Sequence, residues 1–211
     1  MRVLVAGSHG QVGQHVTRIL GESDRDVRGM VRDEEQAPDV EALGGEPVVA
    51  DLTADVTHAV RECDAIIFAA GSGGEDVWGV DRDGAINMVD AAEAAGIKRF
   101  VMLSSLGADH PENGPEALIE YLRAKAEADE YLRDSDLTQT IVRPGPLTNE
   151  PGTGRVVVGT DIDPDSAEIP REDVARTLVA TLPKESTYDA TFELGSGDDP
   201  IDDALGRLLD E

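Results

Sequence analysis

Cysteine is nearly absent from this chain, with Cys63 standing alone. A disulfide framework is thereby excluded, and a reducing compartment is the expected setting. Cys63 shows no ligand spacing with His9, His15, His58 or His110, so no structural metal is expected. Lysine is almost as scarce: Lys98, Lys125 and Lys184 are the only lysines among 18 basic residues, set against 44 acidic ones. The net charge of −26 excludes nucleic acid as a partner and also a polybasic membrane patch. The acids are spread through the predicted helices and loops, which argues against a docking face for a basic partner. Such a surface fits the cytoplasm of a salt-accumulating microbe, where concentrated cations screen self-repulsion. No apolar run approaches a membrane span, and a strand starting at residue 2 leaves no room for a signal peptide, so a soluble cytoplasmic protein is expected.

What the chain does have begins at once. Residues 3–20, VLVAGSHGQVGQHVTRIL, run from an unbroken aliphatic stretch through Gly7, Gly10 and Gly13 into apolar residues at helical spacing (Val12, Val16, Ile19, Leu20). The aliphatic stretch suits a parallel strand buried on both faces. The glycines allow a tight turn and a close approach of backbone to ligand, and the helix start would present free N–H groups to a pyrophosphate. The pattern predicts dinucleotide binding.

The 211 residues fit one unit, 1–211, in which 144–211 would supply a small substrate-side extension. Strands are predicted over 27–31, 47–50, 65–70, 100–103, 138–142, 155–158 and 190–194. Helices are predicted over 38–43, 54–61, 80–95, 115–134, 169–182 and 201–209. This alternation predicts an α/β, doubly wound parallel sheet, a Rossmann fold, with its ligand crevice at the carboxyl ends of the strands. Gly7 to Gly13, Arg32, Asp51, Gly71 and Ser105 all fall at those ends. At the end of the second strand, Arg32 follows Val31 where a ribose-binding acid would otherwise stand, which favours the 2′-phosphate of NADP over NAD. Asp51 is read either as an adenine contact or as the N-cap of the 54–61 helix. Trp78, the only tryptophan, is read as partly buried near the cleft mouth. Tyr121 and Lys125 lie four apart on a predicted helix and so share a face, a spacing that composition alone would produce about 0.04 times per chain.

With GSHGQVG (7–13), DRDGAINMVDAAEAAGIKRFVMLSS (81–105), YLRAK (121–125), IVRPGPLT (141–148) and IPREDVA (169–175) in this order, the sequence resembles the atypical, NAD(P)-binding branch of the short-chain dehydrogenase/reductase superfamily, related to its extended, epimerase-like members. The G-x-x-G-x-x-G spacing matches that branch. The resemblance implies a catalytic group of Ser105, Tyr121 and Lys125, with Ser104 as the fallback serine and Asp81 where the family has an asparagine. Cofactor contacts are expected from Gly7, Ser8, His9, Gly10, Gln11, Val12 and Gly13, and from Arg32, Asp51 and Leu52. Ala69, Ala70, Gly71, Ser104, Lys125, Pro144 and Gly145 complete the expected set.

Hydride transfer to a carbonyl needs a proton donor for the developing alkoxide, and an ammonium beside a tyrosine favours its tyrosinate and so makes the phenol a better donor. The expectation is an NADP(H)-dependent oxidoreductase acting on a small carbonyl or alcohol, with activity rising with salt as the negative field is screened. The alternatives are a non-catalytic NADP(H)-binding redox sensor, which the regulator-like members of the branch resemble, and, less favoured, a nucleotide-sugar epimerase or dehydratase. A small-molecule substrate is the expected partner, and a homo-oligomer is compatible with the long helices.

Overall fold

The computed structural model describes residues 1–209. The strands and helices follow in the order β1 (Arg2–Ala6), α1 (Gln11–Gly21), β2 (Asp26–Val31), α2 (Ala37–Ala42), β3 (Glu46–Val49) and β4 (Ala65–Phe68). A π-helical turn, Val77–Asp83, then runs into α3 (Gly84–Ala95), followed by β5 (Arg99–Leu103), α4 (Ile119–Arg133) and β6 (Thr138–Pro144). The remainder is β7 (Leu147–Thr148), β8 (Arg155–Gly159), β9 (Ile169–Pro170), α5 (Arg171–Thr181), β10 (Ala190–Ser196), β11 (Asp199–Pro200) and α6 (Ile201–Gly206).

The main sheet has the order β11-β8-β10-β6-β5-β4-β1-β2-β3, parallel from β10 through β3 and antiparallel where β8 joins β10. The expected doubly wound architecture is present. Its cause is visible in the strands, whose side chains alternate between two apolar cores. Val3, Val5, Ile67, Val101 and Leu103 face one core, shared with α1, α5 and α6. Leu4, Ala6, Ile66, Phe68, Phe100 and Met102 face the other, shared with α3 and α4. No helix among the described residues is long and apolar enough to cross a membrane.

Three expectations need correction. Residues 54–61 form turns, not a helix, because Asp51 and Asp55 take the N–H groups of Thr53 and Thr57 and so offer the backbone a local alternative. Asp51 therefore caps no helix. The 80–95 helix is π-helical at its start, and α4 begins only at Ile119, after 3-10 turns at Pro111–Asn113 and Glu116–Leu118. The expected 155–158 strand is present as β8, which pairs antiparallel with β10, while β10 continues the parallel array beside β6.

Candidate active site

The cradle between β1 and α1 is shaped by what its glycines touch. Gly7 has φ +80°, and a Cβ there would lie 2.6 Å from Ala70 Cα. A Cβ on Gly13 would fall on the Gly7 carbonyl oxygen. Both positions are closed by the protein's own backbone. Gly10 differs: its added Cβ would sit 3.1 Å from the Gly7 carbonyl oxygen and meet nothing else nearer than 4.0 Å. Gly10 is also the N-cap of α1, with no side-chain cap and no acidic residue in the first turn. The first N–H groups of α1 are thus left for an anion, on a backbone bare enough to be approached. These residues fit a dinucleotide pyrophosphate.

The other expected cradle residues divide. Ser8 is buried, with its hydroxyl and N–H both donating to the Met30 carbonyl, at 2.9 and 3.2 Å, and Val12 is core. They hold the cradle to β2. His9 pairs with Asp39 at 2.9 Å, and Gln11 is exposed beside Gly10.

Further along the same edge, Arg32 leaves the end of β2 with its side chain 75% exposed, its Nε donating to Asp33 at 3.2 Å. Asp33 and Gln36 form a capping box over the turn that follows, which orders the backbone beneath Arg32. The N–H of Thr53 holds the Asp51 carboxyl below the usual carboxylate range, with the Thr53 hydroxyl and Arg32 adding to the effect. Leu52 is nearly buried, and its carbonyl accepts from Asn87 at 2.9 Å. Ala69, Ala70 and Gly71 continue from β4, with Ala70 directly against Gly7 and Gly71 against Asp81.

The second cluster lies on one face of α4, where Tyr121, Lys125 and Asp129 succeed one another at four-residue steps. Lys125 is 3% exposed, and its Nζ donates to the Leu103 carbonyl at 3.1 Å, at the end of β5. The Tyr121 ring centroid is 5.9 Å from that nitrogen, and Asp81 Oδ1 is 3.6 Å away. An ammonium has three donors. Among the described residues only one of them is within hydrogen-bond distance of a partner. Ser105 is half-buried, and among the described residues its hydroxyl reaches only its neighbour's carbonyl, Leu106, at 3.4 Å.

Ser104 is placed otherwise. Its hydroxyl donates to Asp129 Oδ2 at 2.8 Å, and Arg143 Nε donates to the same oxygen at 3.0 Å, all three residues being buried. Burial pushes the Asp129 carboxyl up from its ordinary value, against the pull of Arg143 and the Ser104 hydroxyl. Ser104 is thus committed to a buried network with Asp129 and Arg143, whereas the Ser105 hydroxyl donates to the Leu106 carbonyl. Pro144 and Gly145 are buried too: the Gly145 N–H donates to the Leu194 carbonyl at 2.9 Å, and a Cβ there would strike Ala167. Gly145 is joined to β10 in this way, and the Pro144 carbonyl accepts from the Leu106 N–H at 2.9 Å, next to Ser105.

Reading the sequence missed Asp129, Arg143 and Ser72. Asp129 carried a signal, being four residues beyond Lys125 on the same helix face. Ser72 carried none, because a loop has no period from which facing could be inferred, and Asp81, in a π-turn, was reached only through the resemblance. Trp78 lies in that turn, half-buried, with the Arg82 guanidinium 5.0 Å from its ring centroid.

The chain belongs to the NAD(P)H-binding family, which matches it over residues 7–185. It is 45% identical to a Bacillus subtilis protein described as an uncharacterized sugar epimerase, YhfK, over 99% of this chain and the whole of that one. A solved structure from Bacillus halodurans, described as a candidate NAD-dependent epimerase/dehydratase, superposes with a TM-score of 0.94 at 40% identity, covering 98% and 99% of the two chains. The Lactococcus lactis oxidoreductase ylbE superposes with a TM-score of 0.92 at 31% identity, over 100% of this chain and 98% of that one. The NAD(P)H-binding family and an atypical short-chain dehydrogenase/reductase-like Rossmann fold are thereby shown, among relatives described as an epimerase and an oxidoreductase.

Proposed function

We propose that this chain is an NADP(H)-dependent oxidoreductase that reduces a small carbonyl or oxidises the matching alcohol. The observation that carries the reading is the buried Lys125 ammonium beside the Tyr121 ring at the carboxyl end of the sheet, with one donor on the Leu103 carbonyl, Asp81 facing it at 3.6 Å and donor capacity left over. A cation out of solvent with unused donors is costly unless something else completes its shell. The ribose hydroxyls of a nicotinamide cofactor are suitable acceptors. Gly7, Gly10 and Gly13 would hold the pyrophosphate, Arg32 the 2′-phosphate, and the 69–71 edge the adjoining backbone-facing side.

NADPH, when bound, supplies the hydride. The chain's own residues do the rest. Ser105 Oγ orients the carbonyl oxygen by donating to it. Tyr121 Oη gives its proton to that oxygen as negative charge develops there, so that the carbonyl carbon gains hydrogen and the oxygen becomes a hydroxyl. Lys125 stabilises the tyrosinate left behind. Arg32 is the support for NADP over NAD: it stands exposed where a 2′-phosphate needs a cation.

One feature favours the sensor reading: the Asp81 carboxylate beside Lys125 offsets the charge that should assist Tyr121. The epimerase reading is carried by the relatives' descriptions. Weighing against it, β8, β10 and β11 are spent on the main sheet, which leaves mainly residues 145–170 to cover a substrate. Steady-state NADPH oxidation across a carbonyl panel tests the proposal. Tyr121→Phe should lose about 10²–10⁴-fold in turnover. Equal rates would remove Tyr121 as the acid, and tight NADPH binding without turnover would select the sensor. Gly10→Ala gives a second arm: it should fold and weaken NADPH binding, whereas Gly13→Ala should fail to fold.

A further inference from the structure

Beyond the expected catalytic group, one set of contacts joins its two halves. The turn after β4, residues 71–76, contains Gly73 and Gly74 with positive φ and nothing within 4 Å of their added Cβ positions. Its far end is capped by Asp76, which accepts on its side chain from the Gly79 N–H at 2.9 Å and on its carbonyl from the Val80 N–H at 3.0 Å, and its near end is held at Ser72. Asp81, 1% exposed in the π-helical turn, accepts on Oδ2 from the Ser72 N–H at 3.1 Å and from the Ser72 hydroxyl at 2.7 Å. Ser72 Oγ in turn accepts from the Gly74 N–H at 3.2 Å. The other carboxylate oxygen, Oδ1, faces Lys125 Nζ at 3.6 Å. Gly71 is what admits the carboxylate, since a Cβ there would lie 3.0 Å from Oδ1. One buried carboxylate therefore serves two elements, the turn that continues the cofactor edge and the lysine on α4.

We propose that Ser72 and Asp81 are positioning residues that latch the 71–76 turn to Lys125, so that ordering the cofactor edge and presenting the ammonium are a single event. The inference deepens the proposed function and rests on it for Lys125's role. Asp81 thereby acts through Lys125 and need not touch substrate. A carboxylate suits this position because it can accept twice from Ser72 on one oxygen and still present a charged oxygen to an ammonium. An asparagine could accept from Ser72 but would offer Lys125 no counter-charge. The π-helical turn has a purpose in this arrangement too. Its wider winding sets Asp81 inward between β4 and α4, ahead of the regular turns of α3.

The scarcity of lysine makes the test direct. The free protein is labelled with an amine-acylating reagent and the three lysines are read separately by mass spectrometry, with exposed Lys98 and half-buried Lys184 as internal references. Amide exchange at Ser72 and Gly74 is followed on the same samples. Ser72→Ala should raise Lys125 labelling about tenfold and speed exchange at Gly74, the lower end of the scale for one lost hydrogen bond to a charged group. Ser72→Thr, which restores a hydroxyl, should bring both back. Asp81→Asn should separate the two ends, raising Lys125 labelling while the turn keeps its protection. Wild-type labelling in Ser72→Ala, or no recovery in Ser72→Thr, with Lys98 and Lys184 unchanged, overturns the latch. NADPH binding, read by Trp78 emission, is scored apart. If the wild-type chain binds no NADPH but Ser72→Ala still unmasks Lys125, the functional reading falls and the latch stands.

Discussion

Strand β5 has a buried cation at each end, and the two are held in opposite ways. At its start, Arg99 spends its guanidinium on the carbonyls of Leu182, Phe100, Thr138 and Thr181 and the hydroxyls of Thr140 and Thr187, with the Tyr188 ring 4.8 Å away. No carboxylate lies within ion-pair distance among the described residues, and burial brings its pKa down to about 10. At the other end, Lys125 makes one hydrogen bond and faces one carboxylate. Both charges are out of water, but only the first is fully solvated by protein. A cation whose donors are all consumed ties strands and helices together. One with donors to spare, at the carboxyl end of a parallel sheet, is placed for something that the chain itself does not supply.

That contrast can be broken by exchanging each cation for an apolar residue of similar length. Lys125→Met should cost turnover about 10²–10⁴-fold, measured as NADPH oxidation at saturating carbonyl, with a modest change in unfolding midpoint. Arg99→Met should do the reverse. Leaving several buried acceptors without a donor should remove about 3 kcal/mol of stability in denaturant unfolding, while the folded fraction binds NADPH unchanged. If Arg99→Met lowered cofactor affinity, or Lys125→Met cost more stability than Arg99→Met, satisfaction of donors would not be what separates scaffold from site.

The same distinction explains what could be read from the sequence. The sheet was legible because its strands are buried on both faces and read as unbroken apolar runs, as in 65–68 and 100–103. The cradle was legible because Gly7 and Gly13 obey steric rules that leave a fixed spacing. Tyr121 and Lys125 were legible through helical period. The 54–61 segment departs from the helix its pattern predicts because Asp55 within it and Asp51 just before it compete for the backbone, and that choice is local chemistry that a hydrophobic period does not record. Ser104 and Ser105 are adjacent and identical, so only the presence of Asp129 beneath one of them could tell them apart. The Ser72–Asp81 contact joins a loop to an irregular helical turn, and no periodicity reports on either.

Two smaller effects sharpen the comparison at the rim of the site. Arg32 is exposed and loosely paired, so Arg32→Ala should leave stability unchanged and weaken NADPH binding about tenfold with NADH binding unaffected, the loss expected for one charge-assisted phosphate contact. Equal loss for both cofactors would remove Arg32 as the 2′-phosphate contact.

The smallest effect concerns His15 on α1, a half-buried residue whose pKa lies below its ordinary 6.5 through burial first and then through Arg18, with Glu172 opposing and Arg176 and Arg171 adding to the depression. A histidine with a depressed folded-state pKa is neutral in the folded chain at a pH where the unfolded chain already binds a proton. Its contribution is present in full above 6.5 and is lost as the pH falls through that value toward the folded one. Lower pH also relieves the repulsion among 44 acidic residues, so the absolute trend mixes two terms of opposite sign. The difference between the wild-type chain and His15→Gln cancels the shared term. That difference should move against the wild type as the pH is lowered from 7 to 5, in denaturant unfolding at fixed high salt, and a flat difference would mean that α1 and α5 accommodate the protonated ring at no cost.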